Sequence, residues 1–168
     1  MTSAKGSLAQ AQANYEKLIN GASQNDIQVY QNAMDSAKVN LDNTYNGALT
    51  TLNNSYTAIY NAYFNVVNLQ NSYFSVIDQQ EIAVQDNRNN INDNLTKAKA
   101  SIDQANSPVN IDLAVSNLSN YLNSVFNSLQ TIRDQCDQGI YYSKVSAVDR
   151  TSLDTQKSYI STAMNNII

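Results

Sequence analysis

Residues 107–136, SPVNIDLAVSNLSNYLNSVFNSLQTIRDQC, decide the fold class of this chain. Their apolar residues recur at alternating steps of four and three, which places them on one face of a helix. Ser107 is a preferred N-cap and Pro108 suits the first helical position, so a helix begins here and is expected to end by Gly139. The pattern predicts one buried seam: Ile111, Val115, Leu118, Leu122, Val125, Leu129, Ile132 and Cys136.

Helical spacing continues through most of the chain, and the alternation typical of strands is rare. Only 4 Gly and 1 Pro occur among the 168 residues, whereas sheet proteins need turn residues every few positions. We therefore predict an all-α fold, an elongated antiparallel helical bundle or coiled-coil hairpin with about five helices. We expect a single helical domain over residues 1–168, with hairpin-like helices over 1–70, broken at 21–25, and a helical insert bundle over 71–168.

The first two predicted helices carry narrow apolar stripes with coiled-coil spacing. Between them, Gly21 suits the left-handed position that ends a helix, and Ser23 with Asp26 predicts a capping pair. The second helix is expected from about residue 25 to about residue 70, and its continuity across Gly47 is open. Near Tyr56 two four-residue steps adjoin, which predicts a local departure from the heptad. The two stripes are Ala4, Leu8, Ala11, Tyr15 and Leu18, then Ile27, Tyr30, Met34, Ala37, Leu41, Tyr45, Ala48, Leu52, Tyr56, Ile59, Tyr63 and Val66.

Further helices are predicted after a turn around residues 71–78. The third runs from about Asp78 to about Gln104 and has Arg88 in core phase, either with its stem on apolar surface or in a buried ion pair. Residues 140–148 predict a connection that packs on the helices, and Asp149 or Thr151 is expected to cap the last helix. The stripes are Val84, Arg88, Ile91, Leu95, Ala98, Ile102 and Ala105, then Leu153, Gln156, Ile160, Ala163 or Met164, and Ile167.

The sequence lacks the side chain that enzymes most often use as a general base. There is no His and only 1 Cys, so the commonest general base and multi-thiolate metal sites are absent. The carboxylates are scattered and fit solvated faces or helix caps. We therefore predict a protein that is not an enzyme, with no catalytic, cofactor-binding or metal-binding residues and no cofactor. Cys136 lies on the apolar stripe, and a buried, unreactive thiol is expected.

Charge and hydropathy exclude two classes of partner. The net charge is −4, and no basic cluster exists to neutralise phosphates, which argues against nucleic-acid binding. No run of about eighteen apolar residues predicts a membrane span. An aromatic group remains as the candidate protein-interaction patch, with core filling as the alternative for each ring. Its members are Tyr56, Tyr60, Tyr63, Phe64, Tyr73 and Phe74.

Residues 9–29, AQAQANYEKLINGASQNDIQV, resemble the helical hairpin of HlyD-type membrane fusion proteins, the periplasmic adaptor subunits of efflux and secretion pumps. In that family a Gln/Ala-rich helix ends in a Gly-Ala break and an acidic-Ile pair opens the next helix, as Asp26-Ile27 does here before residues 33–43. Residues 129–136 and 149–163 look like the enlarged helical insert of adaptor-like proteins from candidate-phylum bacteria. The family's lipoyl halves, β-barrel and Arg-x-x-x-Leu tip pattern are not found in this sequence.

The resemblance implies a structural and assembly module, the helical part of a cell-envelope adaptor. Its partners would be a transporter or neighbouring adaptor subunits, including copies of itself, and its location extracytoplasmic, with a membrane-anchored parent protein. Two alternatives stay open: an extracytoplasmic four-helix ligand-sensing domain, which predicts a pocket with converging polar groups, and a surface spacer or adhesion module.

Overall fold

The computed structural model describes residues 2–21 and 23–167 and contains only helices and their connections there. The helices are α1 (Thr2–Ile19), α2 (Gln24–Tyr73), α3 (Gln79–Asp103), α4 (Pro108–Gln135), α5 (Tyr141–Lys144) and α6 (Ala147–Asn166). The predicted all-α bundle is confirmed. The helix beyond the expected number is α5, a single turn of 4 residues inside the connection predicted at 140–148.

Two compact units share the chain, Met1–Thr44 and Tyr45–Ile168. The buried core of the second unit includes α2 residues from Leu52 to Leu69 together with residues of α3, α4 and α6. Helix α2 is continuous through Gly47. An internal Gly costs a helix only about 1 kcal/mol, which its neighbours offset.

Helix α4 lies at the centre of the second unit. It packs against both α3 and α6, and its predicted seam is buried except for Val115, which is half-buried. Each fully buried Leu, Ile or Val contributes about 1.5–3 kcal/mol through the area it removes from water. Polar contacts show that both helix pairs are antiparallel. Asn90 and Asn94 of α3 meet Ser128 and Ser124 of α4, in reversed order. Gln130 and Arg133 of α4 meet Lys157 and Asp154 of α6, again in reversed order.

A polar cluster lies at the edge of the α3–α4 interface, around exposed Asn90. The Asn90 Oδ1 atom accepts hydrogen bonds from Ser124 at 2.9 Å, Ser128 at 3.2 Å and Asn94 at 2.8 Å. Asn94 and Ser128 are buried. Because an unpaired buried amide or hydroxyl is costly, a slide of one helix along the other would be penalised. The cluster therefore fixes the register of α3 on α4.

The buried face of α2 differs from the predicted stripe. The positions inside are Leu52, Ser55, Ile59, Ala62, Val66, Leu69 and Gln70, so the steps from Leu52 to Leu69 alternate three and four without the expected departure near Tyr56. Tyr56 and Tyr63 are half-buried at the flanks. The phenol hydroxyl needs a polar partner, so small Ser55 and Ala62 fill the interior positions and the tyrosines pack beside them.

Caps set most of the helix ends where they were expected. Gly21 and Gly139 have φ of 69° and 52°, the left-handed region that favours Gly. The Ser23 Oγ atom accepts from the Asp26 backbone N–H at 3.2 Å, and Asp26 accepts in return from the Ser23 N–H at 3.2 Å. This pair is the predicted capping box.

The predicted cap of the last helix was wrong. Neither Asp149 nor Thr151 caps α6; Ser146 is its N-cap and accepts from the Asp149 N–H. Asp149 is instead the third helical residue, and its carboxylate accepts from the Ser146 hydroxyl. A capping box places its acid three residues after the cap, and the sequence interpretation took that acid for the cap itself.

Candidate interaction surfaces

Among the described residues, no three or more Cys, Asp or Glu side chains lie together as a metal site would require. Cys136 is buried, as predicted. Burial in apolar surroundings raises the pKa of its thiol to about 11, so the nucleophilic thiolate is scarce at neutral pH. None of the described helices is long and apolar enough to cross a membrane.

A row of apolar side chains in the first unit has no covering partner among the described residues. We name it the open stripe: Ile27, Tyr30, Met34, Ala37 and Leu41. All five are exposed, with Tyr30 at 73%, Met34 at 65% and Leu41 at 51% of the full accessible surface. The same helix buries Leu52 and Ile59 completely. One heptad-like pattern therefore has a packed part and an unpacked part.

The stripe predicted on α1 has the same exposure where it is described. Ala11 and Tyr15 are exposed. The side chains of Ala4, Leu8 and Leu18 lie outside the described part of the chain. The spacing predicted a buried seam on both helices. In the first unit, the described side chains at these positions are exposed instead.

Four of the six predicted patch residues form a surface group that we name the aromatic ladder: Tyr56, Tyr60, Tyr63 and Phe64. The Tyr60 and Phe64 ring centroids are 4.6 Å apart, and Tyr63 meets Phe64 edge-on at 5.4 Å. Tyr56 lies 6.4 Å from Tyr60. Tyr60 and Phe64 are exposed. The four rings give α2 a rigid, amphipathic surface of the kind enriched in protein interfaces.

Tyr73 and Phe74 do not belong to that patch. Phe74 is buried and stacks on Tyr141 with ring centroids 4.1 Å apart. The Tyr73 hydroxyl donates to the Asp149 carboxylate at 2.6 Å. Tyr73 ends α2 and Phe74 follows it, where the chain turns into α3 and the α4–α6 connection comes close. Both side chains make contacts within the bundle.

Carboxylates at this end of the bundle are held in their charged form. The Glu81 backbone N–H, ahead of the Tyr141 hydroxyl, lowers the pKa of Asp78. The hydroxyls of Ser146 and Tyr73 lower the pKa of Asp149. Burial, followed by the bond to Asp78, raises the pKa of Tyr141 to about 12. Charged acceptors strengthen such hydrogen bonds, so the groups stabilise the turn.

Arg150 has a role that sequence reasoning missed. Its Nη2 atom donates to the carbonyl oxygens of Cys136 at 2.9 Å and Tyr142 at 2.6 Å, and its Nε atom lies 3.0 Å from the Asp137 carboxylate. Cys136 lies at the end of α4 and Tyr142 lies in α5. Carbonyl groups at helix ends have no partner within their own helix. The guanidinium thus holds the connection.

Arg88 is half-buried, and its Nη2 donates to Asn89, which agrees with an apolar stem and a solvated head.

A groove between α2 and α6 was also missed. It encloses about 390 Å³ and lies entirely within the second unit. Its lining is uncharged and mixes polar with apolar surface: Thr51, Asn54, Ser55, Ala58, Tyr159, Thr162, Ala163 and Asn166. A second cavity of about 280 Å³ shares Thr51 and Asn166 with it. The sequence signal for this groove was Ser55, a small hydroxyl residue that lies three residues after Leu52 and so on the same face of the helix.

Comparisons with known proteins give no further assignment: no family model, no curated protein and no solved structure matches the chain.

Proposed function

We propose that this chain is a non-catalytic assembly module that joins copies of itself through the open stripe. The observation that carries the proposal is the exposure of Ile27, Tyr30, Met34 and Leu41 on a helix whose later turns are buried. Exposed apolar residues in isolation are ordinary, but a contiguous row at three- and four-residue steps is typical of a helix-pairing surface.

Pairing would stabilise the stripe through burial. Each large side chain moved out of water contributes about 25 cal/mol for every Å² of apolar surface covered. Neighbouring positions support a partner of the same sequence, because Gln31, Ala33 and Asn40 beside the stripe are uncharged. The charged exceptions are Lys38 and Asp26, and the Asp26 carboxylate accepts hydrogen bonds from Ser23. Two copies therefore meet with little like-charge repulsion, and no charge pattern demands a different chain.

The setting we propose is the helical part of a cell-envelope adaptor of an efflux or secretion system, outside the cytoplasm. Its support is the resemblance of residues 9–29 to the adaptor hairpin, in which Gly21 ends one helix and the Ser23–Asp26 pair opens the next. In that setting the aromatic ladder on α2 offers a second contact, for a transporter or a neighbouring subunit. In that setting the module acts by spacing and docking its partners.

Sedimentation of the chain over a range of concentrations tests the self-pairing. We expect wild-type protein to associate as concentration rises and the double variant Met34→Glu, Leu41→Glu to remain monomeric, since two carboxylates would have to be buried in the seam. Ser36→Glu with Asn43→Glu is the matched control: it adds the same charges at the same spacing on the opposite side of α2. Wild-type protein that stays monomeric throughout would falsify the self-pairing.

The adaptor setting has a separate test in the gene that encodes the chain. Segments predicting lipoyl-like strands on either side of the helices are expected. A signalling helix downstream would contradict the adaptor and favour a sensor, and tandem copies of the helical segment would favour a spacer or adhesion module.

A further inference from the structure

We propose that the α2–α6 groove of the second unit binds a neutral, hydroxyl-rich ligand, of the chemical class of a short uncharged carbohydrate. This inference does not rest on the self-pairing, because every lining residue lies within Tyr45–Ile168. The volume of about 390 Å³ falls in the range of sites for small molecules, roughly 300–1,000 Å³.

The lining selects against charged ligands. It contains two carboxamides, three aliphatic hydroxyls, one phenol and two methyl groups, and no Asp, Glu, Lys or Arg. An ion entering the groove would lose water without meeting an opposite charge, which is unfavourable. A neutral polar molecule would exchange hydrogen bonds with water for hydrogen bonds with amides and hydroxyls at little cost.

The hydrogen-bonding groups of the groove divide into acceptors and donors. The hydroxyls of Thr51, Ser55 and Thr162 donate to carbonyl oxygens four residues earlier on their own helices. A hydroxyl that donates in this way keeps its oxygen lone pairs for accepting a further hydrogen bond. Across the described residues, the side chains of Asn54, Tyr159 and Asn166 hydrogen-bond to no other residue, which leaves amide and phenol protons to donate. A sugar hydroxyl both donates and accepts, and this mixture complements it.

Shape supports the same class of ligand. The groove floor consists of half-buried Ala58 and buried Ser55 and Ala163, so no large side chain closes the space between the helices. Tyr159 stands at the edge with 56% of its surface exposed, and an aromatic face packs well against the C–H face of a sugar ring. The adjoining cavity of about 280 Å³, which shares Thr51 and Asn166, lengthens the available space. An elongated space suits linked rings better than one ring.

Calorimetric titration with maltose, cellobiose and N,N′-diacetylchitobiose tests the proposal, with glucuronate and glucosamine as charged comparisons. At least one neutral disaccharide is expected to bind, and the charged sugars to bind more weakly. Asn54→Ala and Tyr159→Ala are each expected to weaken binding about 3- to 10-fold, the loss of one hydrogen bond or one ring contact. Both residues are exposed, so thermal unfolding curves should match those of the wild type.

Two matched variants complete the experiment. Asn53→Ala removes the neighbouring amide, which bonds to the Leu49 carbonyl and does not line the groove; Tyr60→Ala removes an exposed ring of the aromatic ladder. Both should bind as the wild type does, and so should the stripe variant Met34→Glu, Leu41→Glu. Binding by none of the neutral sugars, a preference for charged ones, or equal losses in the Asn53 and Asn54 variants would each overturn the proposal.

Discussion

The Tyr141 hydroxyl donates a hydrogen bond of 2.8 Å to the Asp78 carboxylate, across 63 residues of chain. Asp78 is also the N-cap of α3 and accepts from the Glu81 N–H. One carboxylate therefore fixes the start of α3 and the position of α5. Tyr141 completes the link by stacking on Phe74 just beyond α2. The α2–α3 turn and α5, which are distant in sequence, meet at these residues.

Removing the Tyr141 hydroxyl is predicted to weaken this junction while the aromatic ring stays in place. Tyr141→Phe keeps the ring stack on Phe74 and loses the hydrogen bond to Asp78, so the free energy of unfolding should fall by about 0.5–1.5 kcal/mol. Urea unfolding followed by circular dichroism measures the loss. Tyr142→Phe is the control, because that neighbouring ring is exposed. An unchanged urea midpoint for Tyr141→Phe would show that the bond contributes nothing.

Acid is predicted to destabilise the fold through the same end of the bundle. Asp78 and Asp149 have folded-state pKa values below the ordinary 3.8, so the unfolded chain takes up protons first as pH falls. Their contribution is full above that value and disappears as pH falls through the folded-state pKa values. The melting temperature should therefore drop below about pH 4.

Asp149→Asn separates this effect from general acid sensitivity. The variant should be less stable than the wild type at neutral pH, because the hydroxyls of Ser146 and Tyr73 lose a charged acceptor. The difference should shrink as the wild-type carboxylate becomes protonated. Asp86→Asn, at an exposed position of α3, is the control. A difference between Asp149→Asn and wild type that stays constant with pH would contradict the titration.

Cys136 is predicted to resist thiol reagents while the protein is folded. Its side chain is buried and its pKa is raised to about 11, so at pH 8 only about one thousandth of the thiol is ionised. Labelling with iodoacetamide should be slow in buffer and fast in urea. Ser116→Cys places a second thiol at an exposed site of α4 and should label at once. Equal rates at the two positions would show that the α4 seam opens readily.

The α4 seam shows how much of the fold follows from local pattern. Ser107 and Pro108 predict where the helix begins, and the alternating steps predict which face is buried. These local signals all agree with the final fold. The Gly21 break and the Ser23–Asp26 pair were predictable for the same reason. These signals are contained within a few residues and need no knowledge of what packs against them.

Burial and long-range contacts were harder to predict. Phase alone could not distinguish Ser55 from Tyr56 on α2, since the choice depends on the room left by α3, α4 and α6. Phe74 lies beyond the end of α2, so helical periodicity could not predict its burial. It is buried through its stacking on Tyr141. The groove arises from small residues on two helices that are about a hundred positions apart. Such features depend on tertiary neighbours, which spacing does not reveal.

The clearest prediction compares two leucines of α2. Leu52 is fully buried and Leu41 is 51% exposed, although both lie on the stripe predicted from spacing. Leu52→Ala should lower the free energy of unfolding by about 2–5 kcal/mol, because it leaves a cavity in the core. Leu41→Ala should change it by less than about 0.5 kcal/mol in dilute protein.

The effect of Leu41→Ala should depend on protein concentration. Pairing through the open stripe buries Leu41, and binding that is specific to the folded state raises apparent stability. Leu41→Ala should therefore become destabilising relative to wild type in concentrated protein, while the loss from Leu52→Ala should be similar at both concentrations. Chemical unfolding of the two variants and wild type, at low and high concentration, measures both effects. Equal losses from the two variants in dilute protein would mean that Leu41 is already covered within a single chain.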